Sequence, residues 1–172
     1  MTKTVIQLVV LAIVLLLVQV VCSKIVFFGI AMPIVFIYLL LRLPINMHNN
    51  WCFLIAFAMG LTVDIFNNTA GMNAMAALVM TALRQPVFNL FIVRDDDTAD
   101  PMPSIESVGF GNYARYASVL IAVFCTALFL IQAFSLRDFL LTLMRIVGSS
   151  ALTIVLILGI DSLVSTRREK RL

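Results

Sequence analysis

"IAFAMGLTVDIFNNTAGMNAM", residues 55–75, carries an aspartate, Asp64, inside a run otherwise apolar enough to lie in lipid. A carboxylate near hydrocarbon costs a few kcal/mol on insertion scales, so it needs a compensating partner or a task. The apolar run stops at Phe66, a polar turn of Asn67, Asn68, Thr69 and Ala70 follows, and Gly71 opens a second apolar run. That is the pattern of two membrane-spanning helices joined by a tight turn, since no open sheet satisfies its backbone in hydrocarbon. The Asn and Thr of the turn cap the first helix, and Gly71 supplies the backbone freedom or close approach that starts the second.

The rest of the chain agrees with this hairpin. Of its 172 residues 62% are hydrophobic and 12% charged, with a mean hydropathy of +1.08, whereas soluble domains are roughly half apolar and a quarter charged. The expected fold is an all-α integral membrane protein, one bundle of six transmembrane helices. The spans are Val5 to Cys22, Ile25 to Leu43, Trp51 to Phe66, Gly71 to Val93, Tyr113 to Phe134 and Phe139 to Val164. Each crosses or nearly crosses ~30 Å of hydrocarbon at ~1.5 Å per residue. Short connections at Ser23 and Lys24, at residues 67–70 and at residues 135–138 make the pairs one and two, three and four, and five and six antiparallel. Residues 94–112 hold five acids, two prolines and two glycines and form the one sizeable polar loop, read as a cytoplasmic acidic loop that is a solvated linker or, as the alternative, docks on a basic surface of a partner. Residues 165–172 form a basic tail in which four cations outnumber Glu169.

Charge in the short loops orients the bundle. With the N-terminus inside, the cytoplasmic side collects Lys3, Arg42, Arg94, Arg115, Arg167, Arg168, Lys170 and Arg171, against Lys24 and Arg137 outside. The excess of Lys and Arg places both termini in the cytoplasm. The net charge of +3 is a lipid anchor beside a span and not a nucleic-acid footprint. Val5 to Cys22 is too long for a signal-peptide core, and Val21 precedes Cys22 where a lipoprotein signal wants a small residue, so the first span is read as uncleaved. Cys22, Cys52 and Cys125 are too widely spaced for a disulfide framework or a metal knuckle.

Candidate chemistry is thin. His48 is the only histidine and sits in the turn between spans two and three. "GSSA" (148–151) lacks the second glycine of a nucleophile elbow, and "GFGN" (109–112) follows no strand. Asp64 and Asp161 are expected near opposite surfaces, which excludes a facing pair of protease aspartates. No catalytic residue, cofactor or metal is expected. Four ionisable residues lie within or at the edge of spans: Asp64, Arg84, Arg145 and Asp161. Arg84 stands two residues before Pro86, whose missing N–H frees a carbonyl that a guanidinium can serve. Asp161 is expected at the inner interface beside the basic tail. Asp64 near the outer end of span three and Arg145 about 10 Å into span six lean toward one depth, which makes an ion pair between them the expected answer for Asp64. The competing answer is that Asp64 caps its own turn or meets a partner subunit.

"GLTVDIF", the turn "NNTA" and "GMNAMAALVMTALRQP" together resemble the Gly-Leu-x-x-Asp, turn, Gly-led-helix pattern of the rod shape-determining protein MreD family. Gly60, Leu61, Asp64 and Gly71 fall on the pattern's most recognisable positions. The motif covers about 40 residues, and the six-span layout and basic tail agree over nearly the whole chain. The resemblance implies a non-enzymatic scaffold of the bacterial cell-elongation (rod) complex in the cytoplasmic membrane. It implies as partners MreC, the actin-like MreB, and the cell-wall synthase pair of a SEDS glycosyltransferase and a penicillin-binding transpeptidase. It also implies a likeness to the six-helix substrate-binding subunits of energy-coupling-factor transporters, which keeps a small-molecule-binding transporter subunit as the alternative. The short outer loops favour the scaffold, because a binder wants convergent polar and aromatic groups there.

Overall fold

Helix α6 (Phe110–Gln132) shows why these segments assemble. Tyr113, Tyr116, Ala117, Leu120, Ile121, Phe124, Cys125, Leu128 and Phe129 are all buried, the three-and-four spacing that puts one stripe of a helix against its neighbours. The computed structural model describes residues 2–23, 32–92, 103–132 and 139–169, with side chains for all of these except 2–7, 106, 139 and 163–169. The other elements are α1 (Thr2–Cys22), α2 (Ile37–Arg42), α3 (Asn49–Asn67), α4 (Met72–Phe91), α5 (Ile105–Val108) and α7 (Phe139–Glu169). Among the described residues there is no strand. Four helices are long and apolar enough to cross a membrane: α3, α4, α6 and the Leu140–Ser162 stretch of α7. Within α1 the stretch with described side chains, Leu8–Cys22, is a shorter apolar helix.

The long helices pack in the order α1, α3, α4, α6, α7. Through the middle runs the second apolar segment, and here the structure departs from expectation. Of its described residues, 37–42 alone are α-helical, and residues 32–35 are non-helical chain. Phe36, Ile37, Tyr38 and Leu41 have no exposed surface at all. The rule that backbone at membrane depth must be helical holds for chain that faces lipid, not for chain enclosed by protein that satisfies it. Pro33 has no N–H to offer a helix. The N–H groups on either side of it bond to side chains: Met32 to Ser149 Oγ at 3.0 Å, Ile34 to Thr153 Oγ1 at 3.2 Å, and Val35 and Phe36 to Gln19 Oε1 at 2.6 and 3.3 Å. Gln19 Nε2 in turn donates to the Pro33 carbonyl at 3.3 Å. Gln19 on α1 and Ser149 and Thr153 on α7 therefore replace the hydrogen bonds a helix would have made.

Two further boundaries move. Helix α6 begins at Phe110, not Tyr113, and the second half of the polar loop is structured. Ser104 and Ser107 cap the single turn of α5 reciprocally, and Gly109 at φ +85° turns the chain into α6. The clustered Asp95, Asp96 and Asp97, with Lys24, Arg94, Arg137 and Lys170, lie outside the described residues.

Candidate functional site

The α3/α4 hairpin explains its own sequence. Gly60 lies where the two helices cross. A Cβ built on it would stand 2.5 Å from the Cα of Ala74 and 2.7 Å from its nitrogen, so the crossing tolerates no side chain. One turn on, Asp64 is 1% exposed, and its carboxylate meets the start of α4. Oδ1 accepts from the Asn73 N–H at 3.1 Å, from Asn73 Nδ2 at 2.8 Å and from the Thr69 hydroxyl, and Oδ2 accepts from the Ala74 N–H at 2.9 Å. Gly71 occupies the N-cap of α4 at φ +77° and brings no capping side chain. Asp64 supplies that cap from the neighbouring helix. It satisfies two of the orphan N–H groups of the first turn and sets its negative charge against the positive end of the helix dipole. Asn68 closes α3 in the left-handed region, its N–H and that of Thr69 both donating to the Asp64 carbonyl.

The expected ion pair between Asp64 and Arg145 is therefore corrected. Asp64 spends its oxygens within the hairpin, and Arg145 is exposed. The packing order explains this, because α4 and α6 stand between α3 and α7. Leu61, between Gly60 and Asp64, is 38% exposed and points away from the hairpin's interior.

The other end of the bundle holds the remaining charges. Arg84 is 7% exposed, and it serves a helix end other than its own. Its Nη2 donates to the Leu43 carbonyl, at the C-cap of α2 and just before Pro44, while Nε donates to the Tyr116 hydroxyl at 3.3 Å and Nη1 points to Cys52 Sγ at 3.8 Å. Helix α4 continues through Pro86, and the carbonyl that Pro86 frees is not the one Arg84 takes. Beside Arg84 lies a cavity of about 20 Å³, and a polar groove of about 450 Å³ adjoins it. Ile45, Met47, Asn49 and Gln85 line both, and the groove adds Asn46, His48 and Asn50.

Asp161 is a hub. It is 1% exposed, accepts from the Tyr38 hydroxyl at 2.7 Å and from the Ile105 N–H at 2.8 Å, and lies 3.7 Å from Arg42 Nε. Arg42 Nη1 donates to the same Tyr38 hydroxyl at 3.0 Å. One carboxylate thus ties α2, α5 and α7 together. Sequence reasoning placed Arg42 only as a topological charge and did not single out Tyr38, Gln19, Thr153 or Asn73. Pro33 was the available signal for the central segment, and the fourfold spacing of Ser149, Thr153, Ile157 and Asp161, all buried, was the signal for the face of α7 that serves it. Among the described residues no group of three or more His, Cys, Asp or Glu side chains is arranged to hold a metal ion. No protein-family model, curated protein or solved structure matches this chain.

Proposed function

We propose that this chain is a multi-pass protein of the bacterial cytoplasmic membrane that acts as a non-enzymatic scaffold of the cell-elongation complex. In this reading it works beside MreC, MreB and the paired glycosyltransferase and transpeptidase of peptidoglycan synthesis. The observation that carries the reading is the hairpin. Of the four motif positions, Gly60, Asp64 and Gly71 are consumed in making one rigid turn between two helices, while Leu61 is left facing outward. A motif that spends its polar residues on rigidity and presents an apolar side chain suits a docking surface better than a reaction centre. Orientation with both termini in the cytoplasm is supported by Arg42, Arg84 and Arg115, which gather at one end of the bundle.

Affinity purification of the full chain in mild detergent, with identification of the co-purifying proteins, tests the assignment. Cell-wall synthases and MreC are the expected companions. Recovery of an ATPase module in their place would move the protein to the transporter class. A reporter fused after Leu172 should read as cytoplasmic.

A further inference from the structure

Arg84 is a permanent charge that the described chain does not neutralise. Its guanidinium carries five N–H donors. Three of them meet acceptors, and those acceptors are a carbonyl, a phenol and a thiol, all neutral. The ion pair found among the described residues joins Arg42 to Asp161 instead. A buried cation with no counter-ion among the described residues calls for one from elsewhere, and every bond Arg84 makes is one that a neutral donor could also make. The cavity next to it has room for about one water and adjoins the groove at Asn49 and Gln85, which line both. Among the described residues the groove's polar side chains are amides and one imidazole, with no carboxylate. Immediately along α3 from Asn50, Trp51 and Leu54 are 61% and 55% exposed on an apolar outer face.

We propose that this groove binds the phosphate of an anionic membrane phospholipid. Arg84 supplies the buried charge beneath it, the amides of Asn49 and Gln85 donate directly, and the acyl chains lie along Trp51 and Leu54. The inner cavity is too small for a phosphate. The anion sits in the larger groove, and a single water in the cavity passes on one of the unused guanidinium N–H groups. Continuity with the apolar face selects a lipid over a soluble acidic segment, which needs no such surface. An indole beside the groove is what an interfacial lipid site presents. The proposal rests on the membrane placement of the chain and not on its cell-wall role.

Thermal unfolding of the purified full chain in neutral detergent tests this, with phosphatidylglycerol, phosphatidylcholine, glycerol phosphate or a tri-aspartate peptide added. Saturating phosphatidylglycerol should raise the midpoint by about 5 °C, and phosphatidylcholine, whose choline neutralises its own phosphate, by clearly less. The soluble anions should leave the midpoint in place. Arg84→Gln removes the bond to Leu43 and lowers the midpoint on that account alone, so the deciding variant is Gln85→Glu. It adds a carboxylate at an exposed lining residue and leaves the three bonds of Arg84 intact. Its midpoint without lipid should rise, and the excess effect of phosphatidylglycerol should vanish. Equal shifts from both lipids, an excess that survives Gln85→Glu, or full stabilisation by either soluble anion would overturn the proposal. Failure of the membrane placement would show separately, as release of the chain from membranes by alkaline carbonate.

Discussion

Asp64 shows how a costly residue is made affordable by geometry. Its carboxylate replaces the cap that Gly71 cannot provide, and Gly71 is needed because the turn enters α4 at positive φ. Asp64→Ala strands the N–H groups of Asn73 and Ala74 and should lower stability in detergent by about 2 kcal/mol, the cost of a lost cap plus buried unsatisfied donors. Asp64→Asn keeps an acceptor but loses the charge at the helix terminus, and should cost less than half of that. In a double-mutant cycle with Arg145→Gln the losses should add, because the two side chains share no partner. A coupling of 1 kcal/mol or more would restore the ion pair. Gly60→Ala forces α3 away from the Ala74 backbone and should destabilise by about 1 to 3 kcal/mol. The motif was legible as a rigid hairpin because its glycines, turn residues and carboxylate act locally. The partner of Asp64 was not, since depth along a helix can be counted from sequence but the order of helices around the bundle cannot.

The second apolar segment makes the same point at the scale of an element. Hydropathy measures how buried a stretch is, and residues 33–41 are buried as thoroughly as any described. It does not say whether the enclosing medium is lipid or protein, and only the second permits non-helical backbone. Gln19 alone binds one carbonyl and two N–H groups of this segment. Gln19→Leu should therefore cost more than Ser149→Ala or Thr153→Val, each of which strands one donor at about 1 to 3 kcal/mol. Hydrogen exchange checks this directly. In Gln19→Leu the amides of Val35 and Phe36 should lose protection while those of α6 keep theirs. Equal loss throughout would mean that the segment is not an independent unit but melts with the whole bundle.

At the scale of the whole molecule, the two ends are built on different terms. One gathers its charges into buried contacts: Asp161 holds α2, α5 and α7 together, and Arg84 secures the exit of α2. The other is closed by the hairpin, and from there α3 presents its exposed side. Along that side Ala58, Leu61 and Ile65 are exposed at alternating spacings of three and four, the spacing of a seam that a second helix can follow. Lipid covers such a stripe without regard to its shape, whereas a partner helix reads each side chain. Leu61→Ala separates the two. The residue is outside the core, so stability in detergent should change by less than about 0.5 kcal/mol. If the stripe is the docking surface of the proposed complex, recovery of the co-purifying synthases should fall by about fivefold to tenfold, the loss expected for an interface anchor worth 1 kcal/mol or more. Asp64→Asn is the necessary companion, since it weakens the hairpin without altering the stripe. If it abolishes recovery at a temperature where the fold survives and Leu61→Ala leaves recovery intact, the partner reads the turn rather than the seam.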